Sequence, residues 1–237
     1  MGNNRSYQSR VVTSSDRENT LKYCQKYDKT FYVHCPYVVN VGSLKEHVVK
    51  LSLESIQTVV DKLYTLRASY VLHIGQCGSI EDVISRLQTL NLKEGDRPSI
   101  LLECAAGEKG ELGSTWEELN KLSRELDMRK FGFCIDTQHS FASGMVDFRR
   151  SNSVIECLDR IKSMSGRELD LLHLNDSKVE FQGHVDEHAS IAEGYIWKDD
   201  TESLETLFQQ CGERRIDMVL ETPTGKDDLM VLQELFP

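Results

Sequence analysis

Six short apolar runs punctuate the chain, at residues 30–35, 70–74, 99–103, 131–136, 169–174 and 216–221. They are nearly continuous rather than alternating, as strands buried on both faces should be. Between them apolar positions recur with helical spacing. Ile80, Val83, Ile84, Leu87 and Leu90 predict one helix; Val154, Ile155, Leu158 and Ile161 predict another. Ser114-Thr-Trp-Glu117 reads as a capping box opening a helix with Leu119, Leu122 and Leu126 inward. Leu204, Leu207 and Phe208 mark a further helix, and Leu229, Leu232 and Leu235 the C-terminal one. A longer helical region covers residues 44–66, and residues 15–27 read as a helix ahead of the first strand.

Such alternation predicts a parallel sheet with helical crossovers. Every strand closes on polar or ionisable residues, which is how the catalytic face of a (β/α)8 barrel reads. We therefore expect an α/β protein of the TIM (β/α)8 type, N-terminally shortened, with six of the eight strands visible. Residues 1–237 hold no repeat, linker or low-complexity stretch and read as one domain, of which 1–28 are the atypical part. Two absent strands would leave the first and last runs as sheet edges. The N-terminal residues, a second copy, or natural sequence upstream of Met1 would close that gap, and we expect the last.

The residues at the strand ends carry the chemistry. His34 closes the first run, His73 the second, Glu103 the third, His173 the fifth and Glu221 the last. Asp136 and His139 close the fourth, and Asp186 and His188 follow in the loop after the fifth. Five of the seven histidines and four carboxylates thus gather on one expected face. Imidazole with carboxylate suits Zn²⁺, Mn²⁺ or Fe²⁺. Nine ligands exceed what one ion takes, but suffice for three if one carboxylate bridges two. A single strand-end histidine is more often a hydrogen-bonded structural residue than a ligand. Coincidence at six strand ends is not explained that way. His47 and His184 read as ordinary surface residues. Strand alternation turns Cys35 and Cys104 away from the neighbouring ligands, toward helices. Cys134, two residues before Asp136, faces the interior as packing.

The formal net charge of −10 runs against a nucleic-acid binder that works by bulk electrostatics. Three Zn²⁺ ions would offset six of those charges where a phosphate must sit. Seven cysteines without C-x-x-C spacing argue against a disulfide framework or thiolate zinc knuckle. No apolar run is long enough to cross a bilayer, and the N-terminus lacks a signal-peptide core. Gly2 to Ser6 fits the myristoylation pattern, which is short enough to arise by chance. We expect reduced thiols and an intracellular protein, cytoplasmic or nuclear, without a membrane partner.

Three motifs are specific: Leu102-Glu103-Cys-Ala-Ala-Gly107, Asp136-Thr-Gln-His139-Ser-Phe-Ala-Ser-Gly144 and His173-Leu-Asn-Asp-Ser-Lys178. Asp186-Glu-His188, Glu193-Gly194 and Leu220-Glu221-Thr-Pro223 follow. Together they resemble the endonuclease IV family, zinc-dependent apurinic/apyrimidinic endonucleases on a xylose-isomerase-like TIM barrel. The resemblance runs from about His34 to Glu221. It implies a first zinc on His34, His73 and Glu103. Glu103 would bridge to a second with Asp136, His173 and Glu221. His139, Asp186 and His188 would hold a third. One site could take Mn²⁺ or Fe²⁺ instead. Tyr37 and Lys178 are the residues we expect on the DNA-binding surface.

The sequence departs from the family at two places. Glu187 stands where the family usually has an arginine. The family's first strand, first helix and second strand have no clear counterpart, although Tyr7 and Arg10 are candidate remnants.

The resemblance implies hydrolysis of the phosphodiester bond 5′ to an abasic site in double-stranded DNA, leaving a 3′-hydroxyl and a 5′-deoxyribose phosphate. Glu103 and Glu221 would be catalytic, the first holding a metal pair and the second orienting or deprotonating water. The chain would act as a monomer if its barrel is complete. Two other readings compete. A xylose-isomerase-like sugar isomerase or epimerase would leave His139, Asp186 and His188 without a role. A degenerate, non-catalytic DNA-binding barrel would account for Glu187 and the missing strands, but not for an intact ligand set.

Overall fold

The computed structural model describes residues 6–7 and 13–236, so Gly2 and Arg10 lie outside the described residues. The chain runs α1 (Ser14–Tyr27), β1 (Tyr32–His34), α2 (Glu46–Tyr64), β2 (Ser69–His73), α3 (Ile80–Leu87), β3 (Ile100–Glu103), α4 (Trp116–Glu125) and β4 (Phe131–Asp136). It continues with α5 (Thr137–Ala142), α6 (Ser151–Ser165), β5 (Leu171–Leu174), β6 (Asp176–Ser177), β7 (His188–Ala189), α7 (Glu202–Arg214), β8 (Asp217–Leu220) and α8 (Gly225–Leu235). Six strands form one parallel sheet in the order β1-β2-β3-β4-β5-β8. This is the fold of a TIM barrel, with six strands of its sheet among the described residues. As expected, β1 and β8 are its two edges among the described residues.

The near-continuous apolar runs are used on both faces. One side chain per strand points inward to form an apolar layer: Tyr32, Val71, Leu101, Cys134, Leu171 and Val219. Cys134 therefore packs in the interior, as its position two residues before Asp136 suggested. The outward residues, including Tyr70, Leu72, Ile100, Leu102, Phe133 and Leu172, join the large core beneath the helices. Cys35 and Cys104 belong to that outer core too, opposite their ligand neighbours.

The helices bury the stripes that periodicity marks, such as Val83, Ile84 and Leu87 of α3 and Leu119 and Leu122 of α4. Several details differ. The α4 cap is Thr115, whose hydroxyl accepts from Glu118 N–H, one residue beyond the expected Ser114–Glu117 box. Glu118 also accepts from the Gly113 and Ser114 amides, so the turn before α4 decides the frame. On α6, Cys157 rather than Ile155 is buried. Of the α8 leucines only Leu232 is, while Leu229 and Leu235 are exposed. Helix α1 buries none of its residues. The short helix α5 and the two-stranded β6/β7 hairpin carry no periodicity to announce them. No helix among the described residues is long and apolar enough to cross a membrane.

Candidate metal centre

Strand alternation builds the centre. Two residues beyond each member of the interior apolar layer comes an ionisable one: His34, His73, Glu103, Asp136, His173 and Glu221. With a period of two, these share the inward face and form the next layer up, at the C-terminal ends of the strands. Asp136 also caps α5, accepting from the Gln138 and His139 amides at 2.7 and 3.0 Å. That short helix lifts His139 into the layer. The β6/β7 hairpin brings Asp186 and His188 over it. All nine sequence-marked residues converge on one face.

Glu103 lies at the centre and is wholly buried. Its Oε2 is 3.0 Å from His34 Nε2 and 3.6 Å from His73 Nε2. Its Oε1 is 2.8 Å from His173 Nδ1 and 3.7 Å from His139 Nδ1. His173 Nδ1 also lies 2.9 Å from Glu221 Oε2. On the other side, Asp186 Oδ1 is 3.2 Å from His139 Nε2 and 3.3 Å from His188 Nε2. Asp136 Oδ2 sits between the two groups, 3.9 Å from His173 Nδ1 and 3.8 Å from His188 Nε2.

The electrostatics favour positive charge among these carboxylates. Burial pushes the Glu103 carboxyl up, but His73, His173 and His34 together hold it well below the usual range. Burial likewise opposes ionisation of Asp186, and the adjacent His139 and His188 imidazoles outweigh it. The imidazoles answer in kind. Burial lowers His34, yet the Cys35 carbonyl and Glu103 raise it to about 12. Burial lowers His139, yet Asp136, Asp186 and Glu103 bring it to about 10. His73 goes the other way, lowered by burial and by its neighbours His34 and His139 despite Glu103.

The donor set fits divalent cations on three counts. His34, Glu103, His173 and Glu221 place ligand atoms within 4.8 Å of one another, and so do Asp136, His139 and His188. Three histidines are oriented through Nδ1, which faces the backbone carbonyls of Cys35 (2.9 Å), Cys104 (3.0 Å) and Glu221 (3.2 Å) respectively for His34, His139 and His188. That pattern fixes the tautomer and leaves Nε2 as the donor, as metal-ligating histidines require. Finally, His188 Nε2 is buried and makes no hydrogen bond of its own.

Tyr37 stands at the rim, 71% exposed, with its ring stacked 6.1 Å from that of His73. Lys178 is exposed just past β6, and its amide donates to the Glu187 carbonyl. Glu187 itself is exposed, as are His47 and His184. Sequence reasoning missed the residues behind the ligands. Buried Asn175 joins Asp136 to the Glu221 backbone. Its signal was available, since it follows His173 by two and shares that face. Asp176 gathers the amides of Ser177, Gly194 and Ile196, which fixes the chain after the hairpin. A Cβ at Gly194 would collide with the Ser177 carbonyl, so the close approach requires glycine there.

An inward ring of ionisable residues above an apolar plug defines a class, and residues 1–234 match the family described as xylose isomerase-like TIM barrel. A probable endonuclease 4 from Haloarcula marismortui is 34% identical over 200 residues, covering 81% of this chain and 70% of that protein. A probable endonuclease 4 from Sulfurihydrogenibium is 28% identical over 91% of this chain and 79% of its own length. Within the class, the chain belongs to the endonuclease IV family. In fold it is similar to the crystal structure of endonuclease IV from Thermus thermophilus, with TM-score 0.82, 24% identity and coverage of 98% of this chain and 84% of that one. A D-tagatose 3-epimerase-like protein shares the fold at TM-score 0.67 and 19% identity, covering 94% of this chain and 83% of that one.

Proposed function

We propose that the chain hydrolyses the phosphodiester bond 5′ to an abasic site in double-stranded DNA, leaving a 3′-hydroxyl and a 5′-deoxyribose phosphate. The observation that carries this reading is the convergence of five imidazoles and three further carboxylates around buried Glu103, at the C-terminal face of the barrel. An isomerase would leave the His139, Asp186 and His188 group idle.

His34, His73 and Glu103 would hold one zinc, with Glu103 shared to a second on Asp136, His173 and Glu221. His139, Asp186 and His188 would hold a third. One position could accept Mn²⁺ or Fe²⁺. Zinc so held supplies positive charge against the phosphate and brings the pKa of water toward neutrality. The two catalytic carboxylates divide the remaining work by their surroundings. Glu103 is enclosed, with each oxygen engaged by a histidine, and serves to hold. Glu221 is partly exposed at the open side and is placed to orient the attacking water and accept its proton. Tyr37 offers an aromatic face, and Lys178 a charge for the DNA backbone. Selectivity follows from turning the abasic nucleotide out of the helix, which costs little where no base pair is lost.

The test is a labelled duplex carrying one abasic site, incubated with the protein, with the chelator-treated protein, and with the treated protein resupplied with zinc. Cleavage should occur once, 5′ to the abasic site, vanish on chelation and return with zinc, while an undamaged duplex stays intact. Cleavage that survives metal removal, or none at all, overturns the reading.

A further inference from the structure

Asp186 comes from exposed backbone. Residues 182–187, between β6 and β7, are all exposed. Yet its carboxylate oxygen sits 3.2 Å from His139 Nε2 and 3.3 Å from His188 Nε2. An exposed loop holds such a geometry only if its backbone is fixed.

The peptide unit just before the Asp186 side chain is held at both its edges. Gln138 Nε2 donates to the Val185 carbonyl at 2.9 Å. The Asp186 amide, in the same peptide plane, donates to Glu108 Oε1 at 3.3 Å. The two partners arrive from different elements. Gln138 sits in the first turn of α5, and Glu108 in the loop after β3. Gln138 is wholly buried, and its own Oε1 finds no partner. A residue selected for packing alone would not bury an unmet acceptor. Earlier in the loop, the Gln182 and His184 amides donate to the Phe141 and Ala142 carbonyls. Those bonds tether the loop, whereas among the described residues only Gln138 and Glu108 grip the plane that aims Asp186.

We propose that Gln138 and Glu108 are positioning residues, a two-sided clamp that sets the Asp186 carboxylate for the third metal position. The inference rests on the trinuclear reading of the site. Its test uses the zinc-loaded protein, with metal counted by elemental analysis and affinities resolved by competition with graded chelators. Three variants separate the roles. Q138M keeps the length and apolar stem of the side chain but loses the donor. E108A loses the acceptor, and E108Q retains an acceptor oxygen.

Outer-shell partners of metal ligands typically control affinity by about 10–100-fold. One zinc equivalent should therefore weaken by about that factor in Q138M and E108A, with the other two unchanged and E108Q close to wild type. The turnover number on abasic duplex should fall in the same two variants, with KM for the DNA held. Three equivalents that respond as in wild type, or that all weaken together, overturn the clamp; so does E108Q behaving as E108A. A wild-type protein holding one zinc overturns the trinuclear reading and the clamp with it.

Discussion

Asn175 allows the link between ligand geometry and stability to be measured without metal. The residue is fully buried at the end of β5. Its Nδ2 donates to Asp136 Oδ2 at 2.6 Å, and its Oδ1 accepts from the Glu221 amide at 3.2 Å. One side chain thus ties the ends of β4, β5 and β8. Asn175→Ala removes both bonds and strands a buried carboxylate oxygen and an amide. A hydrogen bond to a charged group contributes about 1.5–3 kcal/mol and a neutral one about 0.5–1.5 kcal/mol, so the loss should be about 2–4 kcal/mol. For a chain of this size that corresponds to a drop in Tm of roughly 5–15 °C. Asn175→Asp sharpens the test. It keeps the shape and the acceptor for the Glu221 amide, but sets a second carboxylate against Asp136. One of the two must then have a raised pKa in the folded state. The destabilisation is present above that pKa and is relieved as pH falls through it. Urea unfolding of the metal-free variants at pH 7 and pH 5, with zinc content of the loaded proteins, measures both effects. A loss below about 1 kcal/mol in Asn175→Ala, with zinc content unchanged, would refute the reasoning, because it is less than one charged bond contributes.

Elemental analysis of the wild-type protein should give about three zinc ions per chain under the proposed assignment, since nine candidate ligands are too many for one tetrahedral site; a single ion would favour the isomerase reading. Glu103→Ala should abolish nicking, because four histidines lie between 2.8 and 3.7 Å of its carboxylate. His188→Ala should empty one position and leave the others partly filled, and equal loss of all metal in both variants would point to a different arrangement. Glu187→Arg should strengthen DNA binding and steepen its salt dependence by about one counterion, and an unchanged slope would place residue 187 away from the phosphates. Zinc loading should release protons: burial opposes charge on His34 and His139, but their partners raise them to about 12 and about 10, so below those values a cation displaces a proton. Apparent zinc affinity should therefore climb with pH, and calorimetry in two buffers of different ionisation enthalpy that shows no proton release would contradict this.

The ligand layer was legible because two simple periods coincide in it. A buried parallel strand is apolar throughout, so an ionisable residue at its end stands out, and side-chain alternation fixes which face it takes. His34, His73, Glu103, Asp136, His173 and Glu221 needed nothing more. His139, Asp186 and His188 lie off the strands, so their place just past strand ends rather than alternation marked them, and the family resemblance supplied only their grouping. The supporting residues were not legible, since they depend on loops meeting across the face. Glu108 and Asp186 are 78 residues apart, and Gln138 and Val185 are 47 apart. No local pattern encodes such a meeting. The displaced α4 cap has the same origin, because Glu118 is recruited by the Gly113 and Ser114 amides of the preceding turn.

The edges of the sheet show how the same interior serves both closure and chemistry. Alternation alone leaves β1 and β8 as unpaired ladders, a liability in an apolar parallel sheet. Inside the barrel, however, Tyr32 of β1 reaches across. Its hydroxyl donates to Asp217 Oδ2 of β8 at 2.7 Å and accepts from Arg97 Nη1 at 3.2 Å, and its ring packs in the layer that contains Val219. The two edge strands are thus tied by side chains where no backbone ladder joins them. His34 stands two residues beyond Tyr32, and Glu221 two beyond Val219. The tie that spans the seam therefore joins the strands that carry His34 and Glu221, whose ligand atoms lie within 4.8 Å of one another, and the plug below the site is part of what positions it.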